Sequence, residues 1–320
     1  MDMSKFLPVV FIVAIAGCVG QTDGPTQTDI ADVLVTENQP VIPSQPTAGG
    51  SLTVRFSIKN QHPIEFADNV EAVLFDSGKC GVDKINDAAP VAKGGSYALL
   101  GEKPLRFAPG QQELVKMSFN APSQQEIVGL GATCPIRYKV KYDFSAKSEA
   151  SFDVMSTSRL EQLETEKGER PTSERTLNVG PGPIRISVEP KTPLPAVTGS
   201  KLPIEVFVRN VGKGNIKDGE IGPERLELTI PDDIEIDLDR ETEIGTLCNG
   251  KFKLVSGTEK KYSNAKKIQF VKGQTNPITC YLKAPDESKV ATERQYTIGA
   301  KINNYQYEYF GQEINVAIKP

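Results

Sequence analysis

An acidic run is the part of the chain whose residue types most directly suggest ligand binding. Between Asp232 and Asp239, apolar and acidic residues alternate, which predicts a strand with its aliphatic side chains on a core face. The carboxylates then form a ladder on the other face: Asp233, Glu235, Asp237 and Asp239. Oxygen ligands suit Ca²⁺, although ladder neighbours about 6.8 Å apart need help from loops to share one ion. The alternatives are a solvated strand paired with the lysines that follow it, or a docking site for a basic partner.

Three tyrosines on one strand are a second candidate site. Tyr305, Tyr307 and Tyr309 occupy alternate positions, and such a ladder could stack on sugar rings or form a partner-binding face. The alternation changes parity at Asn303-Asn304, however, because the preceding apolar residues fall on even positions. A β-bulge there would turn the tyrosines inward. We therefore predict core packing for the tyrosines, with a partner-binding face as the alternative.

The remaining reactive residues do not form a recognisable catalytic set. His62 is the only histidine; it follows a strand and precedes a proline, so we predict a surface loop residue. A catalytic mechanism needs a base, a partner that orients it and often an oxyanion site, and no motif supplies them. We therefore predict no enzymatic activity, no catalytic residues and no cofactor. The net charge of −4 argues against nucleic acid as a partner, since such proteins usually carry a basic face.

The cysteines fit an exported protein. None of them forms a C-x-x-C pair, which disfavours zinc-ribbon and thioredoxin-like sites. If the first is a lipid anchor, an even number remains, and we predict one disulfide per domain. Cys80–Cys134 with Cys248–Cys280 is the one connectivity of three that stays within domains; four free, buried thiols are the alternative. The five cysteines are Cys18, Cys80, Cys134, Cys248 and Cys280.

The N-terminus has the pattern of an export leader. An unbroken apolar stretch covers residues 6–16 after Lys5, which is typical of a secretory signal and too short to span a bilayer. It ends in Ile15-Ala16-Gly17-Cys18, which resembles the lipobox of prokaryotic lipoproteins and implies lipidation of Cys18. We predict a signal peptide at residues 1–17, a polar tether at 18–29, and lipid anchoring on the outer face of the cytoplasmic membrane or at the cell surface. An ordinary signal peptide is the alternative.

The body of the chain contains an internal duplication. Leu52–Asn60 and Leu202–Asn210 share an alternating apolar pattern, and further matching segments follow both. Short strands punctuated by Gly and Pro predict an all-β fold with two tandem antiparallel, immunoglobulin-like β-sandwiches, at residues 30–155 and 183–320. Between them, residues 156–182 predict a charged linker with a short helix that begins at a capping box, Ser158-x-x-Glu161. Packing of that helix as an interdomain brace is the alternative.

The second half resembles a known family. The strand from Val206 ends in Arg-Asn-x-Gly-x-Gly at Gly214 and is similar to CARDB-type domains, the immunoglobulin-like sandwiches of prokaryotic, and particularly archaeal, cell-surface proteins. In that pattern Asn and Gly close a tight turn because they accept positive φ easily. The first half keeps Asn60 but has Gln61-His62 in place of x-Gly. The resemblance implies a binding or spacing module rather than a catalytic part.

These observations support two functional hypotheses. The first is a non-enzymatic, membrane-anchored surface protein that binds, adheres or acts as a spacer through tandem domains, with an unknown extracellular protein or glycan as partner. The second is a structural subunit of a filament or envelope assembly. In that case the segment Ile30–Pro43 would insert as a strand into a neighbouring subunit.

Overall fold

The chain is almost entirely β-structure, which confirms the all-β fold predicted from the alternation. A computed structural model describes residues 30–127, 131–237, 251–255 and 259–320, and only the backbone of 251–255. The described residues of the first half form nine strands: β1 (Leu34–Asn38), β2 (Ser51–Asn60), β3 (Ala67–Asp76), β4 (Gly81–Ile85), β5 (Val91–Lys93), β6 (Ser96–Ala98), β7 (Leu105–Phe107), β8 (Gln112–Asn120) and β9 (Ala132–Met155).

The rest of the described chain begins with helix α1 (Thr157–Lys167) and includes one 3₁₀ turn at Lys217–Gly219. Its strands are β10 (Thr176–Val179), β11 (Ile184–Pro190), β12 (Ala196–Val197), β13 (Lys201–Asn210), β14 (Asn215–Ile216), β15 (Glu220–Ile221), β16 (Leu226–Pro231), β17 (Glu235–Ile236), β18 (Lys251–Val255), β19 (Glu259–Ser263), β20 (Ile268–Val271), β21 (Gln274–Thr275), β22 (Ile278–Lys283), β23 (Glu293–Phe310) and β24 (Ile314–Ile318).

Helix α1 lies in the segment predicted as a linker. Its N-cap is Ser156, whose hydroxyl accepts a hydrogen bond from the Arg159 N–H, so the cap lies two residues before the predicted one. The helix ends at Gly168, which adopts a left-handed conformation that costs glycine little. Leu160 and Leu163 are buried in a small apolar cluster with Met155 at the end of β9. The helix therefore packs on the sheet, as in the brace alternative.

The two halves repeat the same strand pairings. β2 pairs with β1 and β8, and β13 pairs with β11 and β22, all antiparallel. The register is also repeated, since Leu34 lies opposite Asn60 and Ile184 lies opposite Asn210. β3 pairs with β9 in the first half and β16 with β23 in the second. The internal duplication inferred from sequence therefore corresponds to matching strands.

One large sheet runs through both halves because β9 and β23 pair with each other. Their antiparallel pairing extends from Met155 opposite Glu293 to Lys139 opposite Phe310. Across this shared sheet the main strand order is β18-β19-β16-β23-β9-β3-β6-β5. Two smaller sheets, one built around β2 and β8 and the other around β13 and β22, complete the halves.

The core lies on one face of the shared sheet. Along β9 the even-numbered residues from Cys134 to Val154 are buried, while odd-numbered residues are intermediate or exposed. Phe56 of β2 stacks on Tyr138 of β9, with ring centroids 3.9 Å apart. Buried residues of both halves belong to one continuous apolar cluster. We call this the covered face and the opposite one the open face.

Candidate functional site

The best-defined polar site lies where the two halves meet, and a β-bulge in β23 begins it. The register between β9 and β23 shifts between Ile302 and Tyr305, so that Asn303 and Asn304 together oppose Ser145. The Asn304 N–H donates to the Ser145 hydroxyl at 3.0 Å, and Asn304 takes a positive φ of 46°. The bulge predicted from the parity change at these asparagines is therefore confirmed.

The bulge turns the tyrosines toward the covered face. The exposed fractions of Tyr305, Tyr307 and Tyr309 are 5%, 0% and 8%. The alternative of an exposed partner-binding face at these residues is therefore wrong, because the extra residue in β23 restores the inward parity after Ile302. Burial raises the pKa of the Tyr307 hydroxyl above its usual range.

Tyr307 holds the loop that resembles the CARDB turn. Its hydroxyl donates to Asn210 Oδ1 at 3.0 Å and accepts from the Gly214 N–H at 2.9 Å. Asn210 Nδ2 in turn donates to the Gly214 carbonyl at 2.7 Å. A Cβ built on Gly212 would lie 2.5 Å from the Tyr307 hydroxyl, and one on Gly214 would collide with the Glu308 carbonyl. Neither glycine has positive φ, so close approach, and not the predicted backbone conformation, explains both glycines.

Asp32 connects the start of the first half to this loop of the second. Its Oδ1 accepts the Lys213 N–H at 3.1 Å, and its carbonyl accepts from Gln61 Nε2 at 2.6 Å. Asp32 is 5% exposed, and this burial raises the pKa of its carboxyl, against the smaller effect of the Lys213 hydrogen bond and charge. Sequence reasoning missed Asp32, although an acid with two apolar residues on either side was the available signal.

His62 is buried, so its predicted surface position is wrong. It is 3% exposed, and its backbone N–H donates to Asn60 Oδ1 at 2.9 Å, which folds the loop back under itself. The ring Nδ1 accepts the Glu65 N–H at 2.8 Å, and the ring lies 5.4 Å from that of Phe144. Burial lowers the pKa of the His62 imidazole. A strand end followed by proline looks like a surface turn, and nothing local shows that Phe144 covers it.

The contacts above join the two halves in one region, which we call the waist and define by its residues at the end of this paragraph. Two clefts flank it, one of about 260 Å³ with a mixed lining beside His62 and Lys147 and one of about 310 Å³ with a more polar lining beside Asn304 and Arg225. They occupy gaps along the shared sheet, between β3 and β10 on β9 and between β14 and β16 on β23. By the waist we mean residues 30–33, 61–65, 144–147, 180–183, 210–214 and 303–307.

The acidic run does not form the predicted ladder. Its first residues form a turn after β16, and of its described residues only Glu235-Ile236 is a strand, which pairs with β22 in a different sheet. The chain thus changes sheets within the run, so the carboxylates do not share one face. Asp233 pairs with Arg294 at 2.8 Å, and Lys260 lies 3.6 Å from Asp232. Asp239 lies outside the described residues. No three His, Cys, Asp or Glu side chains in the described part of the chain form a group that could hold a metal ion.

The first predicted disulfide is present. Cys80 and Cys134 are bonded and tie the turn before β4 to the beginning of β9, 54 residues apart in sequence. Cys280 is also disulfide-bonded, while Cys248 and Cys18 lie outside the described residues, so the Cys248–Cys280 pairing and the lipidation of Cys18 stay predictions. Within the described ranges no helix is long and apolar enough to cross a bilayer.

The chain matches no protein-family model and no curated protein sequence.

Proposed function

We propose that the protein is a non-enzymatic, membrane-anchored surface protein whose two halves act as one rigid extracellular spacer and binding module. The observation that carries this proposal is the pairing of β9 with β23 through both halves. Tandem domains on a simple linker would reorient freely. Here, bending would break consecutive backbone hydrogen bonds of the shared sheet and open a continuous core.

The dimensions suit a spacer. β9 contains 24 residues, which corresponds to about 80 Å at roughly 3.3 Å per residue in a strand. A strand of this length that remains paired along most of its course keeps the far ends of the two halves at a fixed separation. The shared sheet would thus hold a bound partner at a defined distance and orientation.

The waist also suggests how an anchored molecule would be oriented. Residues 30–33 lie on the covered face, where Asp32 meets the loop at Lys213 and the Ile30 carbonyl accepts the Gly182 N–H at 2.9 Å. A tether that precedes Ile30 would leave from that side, so the open face would point away from the membrane. Two half-exposed phenylalanines, Phe75 and Phe310, lie there with ring centroids 6.3 Å apart. They are the first positions to test for contact with an extracellular protein or glycan.

The anchoring part of the proposal rests on the leader and is tested at Cys18. The full chain and a Cys18→Ser variant would be expressed in a prokaryotic host that processes lipoproteins, followed by membrane fractionation and intact mass measurement. We expect the unsubstituted chain in the membrane fraction with a diacylglyceryl mass increment and without residues 1–17, and the variant in the soluble fraction. Equal partitioning of the two, or a retained Met1 with an unmodified Cys18, would contradict the anchor.

The rigid-spacer part is tested separately by small-angle scattering of the body from residue 30 onward. A single rigid particle should reproduce the scattering profile, with the maximum dimension set by β9. A profile that requires an ensemble of half-to-half orientations would contradict the spacer role whatever happens at Cys18.

Strand exchange is the second candidate, and the position of β1 favours it. Among the described strands, β1 pairs with β2 alone and so lies at a sheet edge, close to the point where a tether would join the body. Val35 lies opposite Lys59 in this pair, so oxidation of a V35C/K59C double variant distinguishes the alternatives. The spacer proposal expects an intramolecular disulfide in a monomer. Covalent dimers or ladders on a non-reducing gel would support exchange between subunits.

A further inference from the structure

The waist contains His62, the only histidine of the chain. The hydrogen bonds that its ring accepts at Nδ1 can form only when the imidazole is neutral. Nδ1 accepts two backbone donors, the Glu65 N–H at 2.8 Å and the Ile64 N–H at 3.3 Å. An accepting Nδ1 places the ring proton on Nε2, where it can donate to the backbone of Pro181. His62 thus joins the first-half loop to the segment that enters the second half.

Protonation would reverse this arrangement. A proton on Nδ1 turns the acceptor into a donor that faces two N–H groups, so both hydrogen bonds are lost and like dipoles oppose each other. The ring is also packed against Phe144, where a cation loses hydration.

The surrounding charges do not favour the imidazolium strongly. Glu65 on the same loop attracts a positive ring and Lys147 on β9 repels it, and the two are paired with each other at 2.9 Å. Glu149 of β9 lines the same cleft, and Tyr305 of β23 approaches Phe144 edge-on. Residues 178–183 contribute no titratable side chain. The hydrogen bond to the Pro181 backbone also favours the cation, but burial is the largest effect and lowers the pKa of His62.

His62 is linked to the second half through its neighbour. The Gln61 N–H donates to the Val33 carbonyl at 2.9 Å and its side chain donates to the Asp32 carbonyl at 2.6 Å. Asp32 then accepts the Lys213 N–H. A displaced loop at His62 would disturb both segments that hold the halves together on the covered face, while β9 and β23 stay paired.

We propose that the waist is an acid-operated latch, in which neutral His62 holds the loop 61–65 closed against residues 30–33 through its accepting Nδ1, and its protonation releases this loop while the Nε2–H bond to Pro181 is kept. The sign follows from the lowered pKa: His62 contributes stability to the closed waist above the unfolded-state value of 6.5, and that contribution is lost as pH falls through the folded-state value. Each unit between the two values corresponds to a tenfold increase in the opening equilibrium of the waist. The proposal goes beyond the spacer role and does not require the anchor.

The first test is an NMR titration of the imidazole, which reports on His62 alone because the chain has no other histidine. We expect the Nε2–H tautomer at pH 7.5 and a midpoint below 6.5. The Nδ1–H tautomer, or a midpoint at or above 6.5, would overturn the proposal. This measurement needs no variant.

The second test measures the opening itself by hydrogen exchange at pH 7 and pH 5, corrected for intrinsic rates. The amides of Glu65, Gly182 and Lys213 report the waist, and amides of the β2–β8 pair serve as reference. In the unsubstituted protein we expect acid to reduce protection at the waist several-fold more than at the reference. In His62→Gln, which keeps an acceptor and a donor but cannot be protonated, this difference should disappear. Equal acid sensitivity of the two proteins, or none in either, would refute the latch.

Discussion

Removal of one hydroxyl at the waist tests whether the polar network holds the halves together. In Tyr307→Phe the ring remains, but the two hydrogen bonds to Asn210 and Gly214 are lost. Because Tyr307 is fully buried, water cannot replace the hydroxyl. The Gly214 N–H is then left without its acceptor, while Asn210 Oδ1 keeps the Gly212 N–H at 3.2 Å.

The size of the effect follows from these two bonds. A buried donor without a partner costs about 1–3 kcal/mol, and a typical hydrogen bond contributes about 1 kcal/mol. We expect Tyr307→Phe to lower the free energy of unfolding by about 2–3 kcal/mol. For a protein of this size that corresponds to a fall of roughly 3–5 °C in Tm.

The assay is urea denaturation followed by circular dichroism, with Tyr309→Phe as the matched control. Tyr309 lies two residues farther along the same strand face and is 8% exposed, and its hydroxyl is not part of the Asn210–Gly214 network. The control should change the free energy of unfolding by less than about 0.5 kcal/mol, as substitutions away from such features usually do. If Tyr307→Phe loses no more stability than the control, the network does not stabilise the waist.

Three further predictions follow from the same structure. Asp32→Asn should not lower the free energy of unfolding at pH 7, because burial raises the pKa of the carboxyl and its ionisation therefore opposes folding at that pH. Any gain in stability over the unsubstituted protein should shrink as pH falls toward 3.8. A large loss of stability at pH 7 would show that the charge is needed. Gly214→Ala should lower the free energy of unfolding by about 1–3 kcal/mol or more, because its Cβ would collide with the Glu308 carbonyl. Gly299→Ala should be tolerated, because a Cβ there would lie 3.5 Å from the Thr229 side chain. Denaturation midpoints of the two variants compare these effects. Replacing Cys80 and Cys134 by alanine should cost about 4 kcal/mol in the chain-entropy model for a separation of 54 residues, and an unchanged urea midpoint would contradict this.

Much of the local structure could be predicted because period-two alternation reports directly on burial. The matching segments that begin at Leu52 and Leu202 form equivalent strands, β2 and β13, each paired with the corresponding two strands of its own half. The parity change at Asn303-Asn304 predicted the bulge, since a single extra residue is the simplest way to keep apolar side chains on one face.

The site itself could not be predicted, because it depends on pairings between distant segments. Alternation shows which face of β9 or β23 is buried but not that the two strands lie side by side, since paired residues such as Lys139 and Phe310 are 171 residues apart in the sequence. His62 was misplaced for the same reason, since its cover comes from Phe144 in another strand. The acidic run failed differently: its alternation was real at Ile234, which is fully buried, but a turn moved the chain to another sheet.

The waist also explains why the two equivalent loops differ. The segment before β1 is hydrogen-bonded to the loop of its own half, since the Val33 carbonyl accepts the Gln61 N–H. The segment before β11 is bonded in the same way, since the Pro183 carbonyl accepts the Val211 N–H. Each segment also contacts the loop of the other half.

In one direction, Asp32 meets Lys213, and in the other the backbone of Pro181 meets His62. An acid against the second loop leaves no space for a Cβ at Gly212, which would lie 2.5 Å from the Asp32 carboxylate. The first loop faces a backbone carbonyl and an aromatic ring, and an imidazole fits there as both donor and acceptor. The two loops therefore differ because they face different groups. The first half supplies the Asp32 carboxylate, which requires glycine in the second-half loop. The second half supplies a backbone carbonyl, which allows histidine in place of glycine in the first-half loop.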